Sequence, residues 1–191
     1  MYISTEFDTI PDEYAKYAPE ENKVNGSTVV SFPFQLHDID PSMKYLHWAF
    51  LDDGSIPVCG FTWIHWSLAN LPIDAVMFAK DDPTVLQIPA DFSRSVVSMM
   101  PEVLQGNNSH VSRFIGITDP NVAQRYAGPK PPNEDHFYML RVWATKEPLQ
   151  GLKQGFPLNK MYDALRSLGA SIDLSHGQGI ETDAILLRGR K

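Results

Sequence analysis

Short apolar runs alternate along the chain with proline-punctuated polar stretches, the pattern of many short strands joined by structured loops. Three segments, "STVVSFPFQL" (27–36), "KYLHWAFLDD" (44–53) and "FTWIHWSLAN" (61–70), are rich in β-branched and aromatic residues and have breakers at their ends, so each predicts a strand. In "HFYMLRVWATK" (136–146) the period of two is explicit. Tyr138, Leu140, Val142 and Ala144 form one face, which predicts core, and Phe137, Met139, Arg141 and Trp143 form the other. "DAILLRG" (183–189) is a further strand that could close the sheet.

Helical signal is sparser. "LNKMYDALRSLG" (158–169) places Leu158, Met161, Tyr162, Leu165 and Leu168 at helical spacing ahead of a stop at Gly169. A second short helix in "SRSVVSMMPEVLQG" is disrupted by Pro101. Residues 71–135 read as a long, proline-rich loop, and loops of that size tend to be functional or disordered, so a site is expected there. The fold class is mostly β with peripheral short helices.

With 191 residues, 43% apolar and 20% charged, the composition predicts one globular domain over 1–191. A net charge of −7 lacks the clustered Lys and Arg that phosphate backbones require, so nucleic acid is not an expected partner. The first residues carry no basic-then-apolar leader, and no apolar run reaches the roughly 18 residues of a membrane span, which predicts a soluble, unprocessed chain without integral membrane association. Cys59 is the single cysteine, so no internal disulfide can form and a cytoplasmic setting is favoured. Set in "IPVCGF", it reads as a buried, inert thiol rather than a nucleophile.

The familiar hydrolase, phosphate-loop, zinc-helix, dinucleotide and kinase signatures are absent. What remains are polar groups on strands: Asp52 at the end of the second, His65 inside the third and His136 at the start of the fourth. If those strands are neighbours, one acid and two imidazoles converge in an aromatic cleft that favours an anion, with His protons as donors and Asp52 orienting one ring. A core histidine satisfied by a backbone carbonyl is the competing reading of His65. Trp63 and Trp66 differ in parity, so one fills the core and the other lines His65's face. His37, His47, His110 and His176 read as surface or structural residues. A zinc site from Asp52, His65 and His136 fits in ligand type but not in diagnostic spacing, and no cofactor or metal is expected.

Two stretches in order carry a resemblance. "FTWIHWSLANLP" resembles the H-W-x-x-x-N-[IL]-P segment of the phosphatidylethanolamine-binding protein family, which includes Raf kinase inhibitor-like proteins, and "YAGPKPPNEDHFYMLRVWATKEPL" resembles its Y-x-G-P-x-P-P segment followed by His-x-Tyr. The likeness spans about residues 27–168, with "SIPVCGFTWIHW" closest to the bacterial branch. It implies an antiparallel β-sandwich with flanking helices. It also implies an anion pocket of Asp52, His65, His136 and Tyr138, with Pro129, Pro131 and Pro132 at the rim and Gly128 allowing a close turn. Such pockets accept phosphate, acetate-like anions and phospholipid head groups, and the resemblance makes His65 the donor and Trp66 the anchor of its strand.

Departures accompany the likeness. Where the family has Asp-Pro-Asp-Ala-Pro, this chain has "DDGSIP", so Gly54 stands in place of the second acid and the pocket should be less negative, disfavouring an ammonium-bearing head group. The match of Ile56-Pro57 to the family's Ala-Pro bond implies a cis peptide. The C-terminal stretch, whose counterpart helps gate the pocket in relatives, matches only loosely. Three functions follow: a non-catalytic protein binding a small anion and regulating a phosphorylated partner, tighter at lower pH; a weak hydrolase or isomerase using His65 or His136 with Asp52; and, by family analogy alone, a kinase inhibitor. A protein partner and a homodimer stay open, since nothing marks an interface.

Overall fold

The computed structural model describes residues 1–169 and 180–191; His176 and the loosely matching stretch around it lie outside the described residues. Strands and helices are labelled in chain order. Among the described residues, one sheet runs β1 (Tyr2–Ser4), β4 (Phe34–His37), β8 (Asp82–Ile88) and β7 (Met77–Ala79). A larger one runs β11 (Ile180–Gly189), β10 (His136–Thr145), β5 (Tyr45–Asp52), β6 (Trp63–Pro72) and β9 (Leu104–Gln105). A small ribbon pairs β2 (Lys23–Val24) with β3 (Ser27–Thr28), and every pairing between these strands is antiparallel. The helices are α1 (Ile56–Cys59), α2 (Phe92–Met99), α3 (Pro120–Ala123) and α4 (Leu158–Ser167).

The core lies between the two sheets, where Phe34, Leu36 and Ile88 meet Trp48, Phe50 and Val142. Aromatic rings dominate it: Trp48 stands edge-on to Phe34 at 5.5 Å and to Trp66 at 4.9 Å, geometry favoured by the ring quadrupole. The even face of β10 is fully buried there, as the alternation predicts. Its odd face is not simply solvent-facing, because α4 packs Met161 and Leu165 against the outside of the sheet and covers Trp143.

Several expectations change. The strand expected over 27–36 is divided into β3 and β4, with Pro33 in the gap, since proline donates nothing to a ladder. Residues 71–135 are not one loop: they hold β7, β8, α2, β9 and α3, each too short to show a clear period. The helix in "SRSVVSMMPEVLQG" ends at Met99, two residues before Pro101. The Ile56–Pro57 bond is trans, because Pro57 sits in the first turn of α1, where its fixed φ suits a helix and its missing N–H is not needed. Cys59 is half-buried rather than buried, its thiol donating to the Phe61 carbonyl at 3.3 Å.

Candidate functional site

Strand register assembles the cluster. Asp52, the last residue of β5, stands directly opposite Tyr138 of β10, and His136 lies two residues before Tyr138, on the same face. His65 arrives by a different route. In the β5–β6 ladder Phe50 pairs with Trp66 and Leu51 with Ile64, so His65 is the surplus residue of a β-bulge. A bulge turns consecutive side chains toward one face. Both His65 and Trp66 therefore point inward: His65 packs at 5.6 Å from Phe50 and 5.1 Å edge-on to Tyr138, while Trp66 packs edge-on to Tyr126. Trp66 is also pinned by Gln105, whose Oε1 accepts from the indole N–H at 2.8 Å. Trp63 lines the cavity beside His65.

Asp52, His65 and His136 are 4%, 5% and 3% exposed. His136 Nδ1 is 2.8 Å from Asp52 Oδ2, and its Nε2 is 2.9 Å from Asn133 Oδ1, so both ring nitrogens are occupied. His65 Nδ1 lies 2.6 Å from the Ala127 carbonyl oxygen. A carbonyl only accepts, so Nδ1 carries the hydrogen, and in the neutral ring Nε2 presents a lone pair. That lone pair is 4.0 Å from Asp52 Oδ2. Among the described residues Asp52 Oδ1 and the Tyr138 hydroxyl have no hydrogen-bond partner; phenol and carboxylate are close enough to couple electrically but no hydrogen bond of normal geometry joins them.

Burial pushes the His65 imidazole down to about 4, against the smaller opposing pulls of the Ala127 carbonyl and the Asp52 charge. His65 is therefore neutral through the physiological range, and its pocket-facing nitrogen is an acceptor. The His65 ring hydrogen is thus held by the Ala127 carbonyl, the arrangement of a histidine satisfied by a backbone carbonyl. Burial, then the Asp52 charge, raises the Tyr138 phenol, which stays protonated.

The cluster floors a cavity of about 520 Å³. Its apolar walls come from Val58, Trp63, Ile115 and Ile117, and the lining also includes Pro131, Pro132, Lys130, His110, Asn25 and Ser27. Gly128 also lines it; a side chain there would collide with Thr28 and the Tyr14 carbonyl, so the glycine permits a close approach of two backbones. Pro129 departs from the expected rim: its ring is buried and packs toward Gly189, behind Tyr138. His110 and Asn133 were not singled out by the sequence reading. His110 is half-buried with an unpartnered Nδ1, its charging opposed by burial and by Lys130. The i, i+3 relation of Asn133 to His136 inside "PPNEDH" was the available signal for the other.

Outside the mouth, Phe61 stacks between Trp63 and Phe114, each 5.8 Å away. A larger hollow of about 650 Å³ at the Tyr45 end of β5 is lined by Asp40, Lys44 and Asp74, all exposed, and it has no buried titratable group. Among the described residues no three His, Cys, Asp or Glu side chains are grouped to hold a metal ion. Nor, among them, is any helix long and apolar enough to cross a membrane.

Comparison with known proteins gives consistent results. The family model described as phosphatidylethanolamine-binding protein matches residues 4–172. An uncharacterised Bacillus subtilis protein, YxkA, is 39% identical over 155 residues, 81% of this chain and 84% of the relative. A solved structure from Chlamydia trachomatis, titled a putative phosphatidylethanolamine-binding protein homologue, superposes with a TM-score of 0.63 at 18% identity, covering 100% of this chain and 97% of the other. Escherichia coli YbcL, titled a new member of the mammalian family, gives 0.63 at 14% identity over 97% and 96% of the two chains. At those identities the structures speak for the fold alone.

Proposed function

The chain belongs to the phosphatidylethanolamine-binding protein family, and from that premise we propose that it is a non-catalytic binding protein, acting as one domain over 1–191, whose cavity holds a small organic ligand by a phosphate- or carboxylate-type head. The observation that carries the reading is the buried polar floor of Asp52, His65, His136 and Tyr138 beneath apolar walls. Buried polar groups without partners are costly in an empty site and become useful when a ligand supplies the partner. A cavity of about 520 Å³ is also far roomier than a bare ion needs, which supports a ligand with an apolar body lying along Val58, Trp63 and Ile115.

Among the described residues, the hydroxyl and thiol beside Asp52 are engaged with backbone carbonyls, which weighs against covalent catalysis by them. The Ser55 hydroxyl is held by the Asp52 and Phe61 carbonyls at 2.6 and 2.8 Å, and the Cys59 thiol leans on the Phe61 carbonyl. An amide-shift titration with phenyl phosphate tests the proposal. Saturable shifts confined to residues around Asp52, His65, His110 and 127–138 are expected; dispersed or absent shifts would overturn it.

A further inference from the structure

The chain segments that build the cavity also have an outer side. Neighbouring residues are divided between two spaces, as side-chain alternation along a strand requires. Asp52, Trp63 and His110 line the cavity, whereas Asp53, Thr62 and Ser109 line a separate groove of about 590 Å³. The groove lies on the outside of the five-stranded sheet, where α4 packs: Leu158 and Tyr162 form its far side, and Phe61 and Ile64 add an aromatic and an aliphatic wall. Its volume is that of a small-molecule site, and it shares no lining residue with the cavity.

Charge in the groove is one-sided. Asp53 is the charged residue of the lining, and no Lys, Arg or His among the described residues joins it there. The Thr62 hydroxyl donates to Asp53 Oδ1 at 2.6 Å and so fixes the carboxylate, yet no ion pair among the described residues involves Asp53. The Phe61 and Tyr162 rings share the groove with that charge, which is near enough to Tyr162 to act on its phenol. Arg141 acts on the same phenol, but its guanidinium lies over the Trp143 ring at 5.8 Å and outside the lining. Ser109 Oγ accepts from the Ile64 N–H at 2.8 Å and keeps its own hydrogen, and the buried Ser112 hydroxyl has no partner among the described residues. We propose that this groove is a second binding site, independent of the cavity, and that it takes an organic ammonium with an aromatic body, an arylalkylamine.

The chemistry is a matter of complementarity. An ammonium paired with Asp53 is also attracted to the faces of Phe61 and Tyr162, while the body of the ligand covers Leu51, Ile64 and Leu158 in place of water. A carboxylate on the same body would meet Asp53 as a like charge. Asp53 is exposed, and an exposed ion pair alone contributes little, so selectivity comes from the charge and the rings together.

2-Phenylethylammonium and phenylacetate, titrated separately into the intact protein at pH 7 and followed by amide shifts, form the test. The ammonium should give saturable shifts at Asp53, Thr62, Ile64, 109–112 and 158–162. It should bind there at least about tenfold tighter than phenylacetate, the equivalent of one mismatched contact. Asp53→Asn keeps an acceptor for Thr62 and should weaken the ammonium about fivefold, and Tyr162→Leu should weaken it about threefold. Equal binding of the two ligands at the groove, or undiminished ammonium affinity in Asp53→Asn, would overturn the proposal. Ammonium shifts confined to Asp52, His65 and His136 would overturn it by placing the ligand in the cavity, and the absence of localised shifts would overturn it outright.

Discussion

Gly54 governs how closely Asp52 and His136 stand. A Cβ at this position would sit 2.8 Å from His136 Cγ, closer than packed atoms come, and a tight 3.0 Å from Asp52 Oδ1. The absence of a second acid is therefore a packing requirement of this chain as well as a change of charge. Gly54→Ala should displace the imidazole, cost about 1–3 kcal/mol in urea unfolding as overpacking does, and weaken phosphate binding severalfold. Asn133 offers the opposite experiment. It is exposed, and it occupies His136 Nε2 from outside. Asn133→Ala should leave stability within about 0.5 kcal/mol, yet loosen the His136 ring by removing its Nε2 partner, so that phenyl phosphate binds severalfold more weakly in the amide-shift titration.

Whole elements explain what sequence pattern could and could not see. Asp52, His65 and His136 were legible as a group because each lies on a strand near its end, and Tyr138 joined them only through the family resemblance, although the register sets it opposite Asp52. His65 was legible as a candidate but its role was not, because parity assumes an unbroken ladder and the bulge resets it. The short elements of 71–135 left no period to count; beside the β6–β9 ladder, a single side chain ties two segments of that region together. Asn108 donates through Nδ2 to the Val122 carbonyl at 2.7 Å and the Arg125 carbonyl at 3.0 Å, while its Oδ1 accepts from the His110 N–H. Asn108→Ala would orphan buried carbonyls at the base of the Gly128 turn. A loss of roughly 2–3 kcal/mol is expected, with hydrogen exchange rising first across 119–128.

Across the molecule, His47 and His65 are both buried in neutral form, which ties stability to pH. His47 accepts from the Asn70 N–H through Nδ1 and bonds Thr145 through Nε2, and burial pushes it down to about 3, as it pushes His65 to about 4. Unfolded imidazoles take up protons from their ordinary value of 6.5, so between 6.5 and about 4 the unfolded chain binds more protons than the folded one. Stability should be full above 6.5 and decline as pH falls, each histidine removing about 3 kcal/mol by pH 4. Thermal melts from pH 7 to pH 4 read the slope, and His47→Gln should flatten it while sparing phosphate binding. The bulge has a consequence at the same scale. Remove His65 from the chain and Ile64 and Trp66 become consecutive, matching the consecutive Leu51 and Phe50 they already pair with. The loss of a single codon would thus mend this one of the two irregularities in the β5–β6 ladder and take a polar wall from the cavity in the same step.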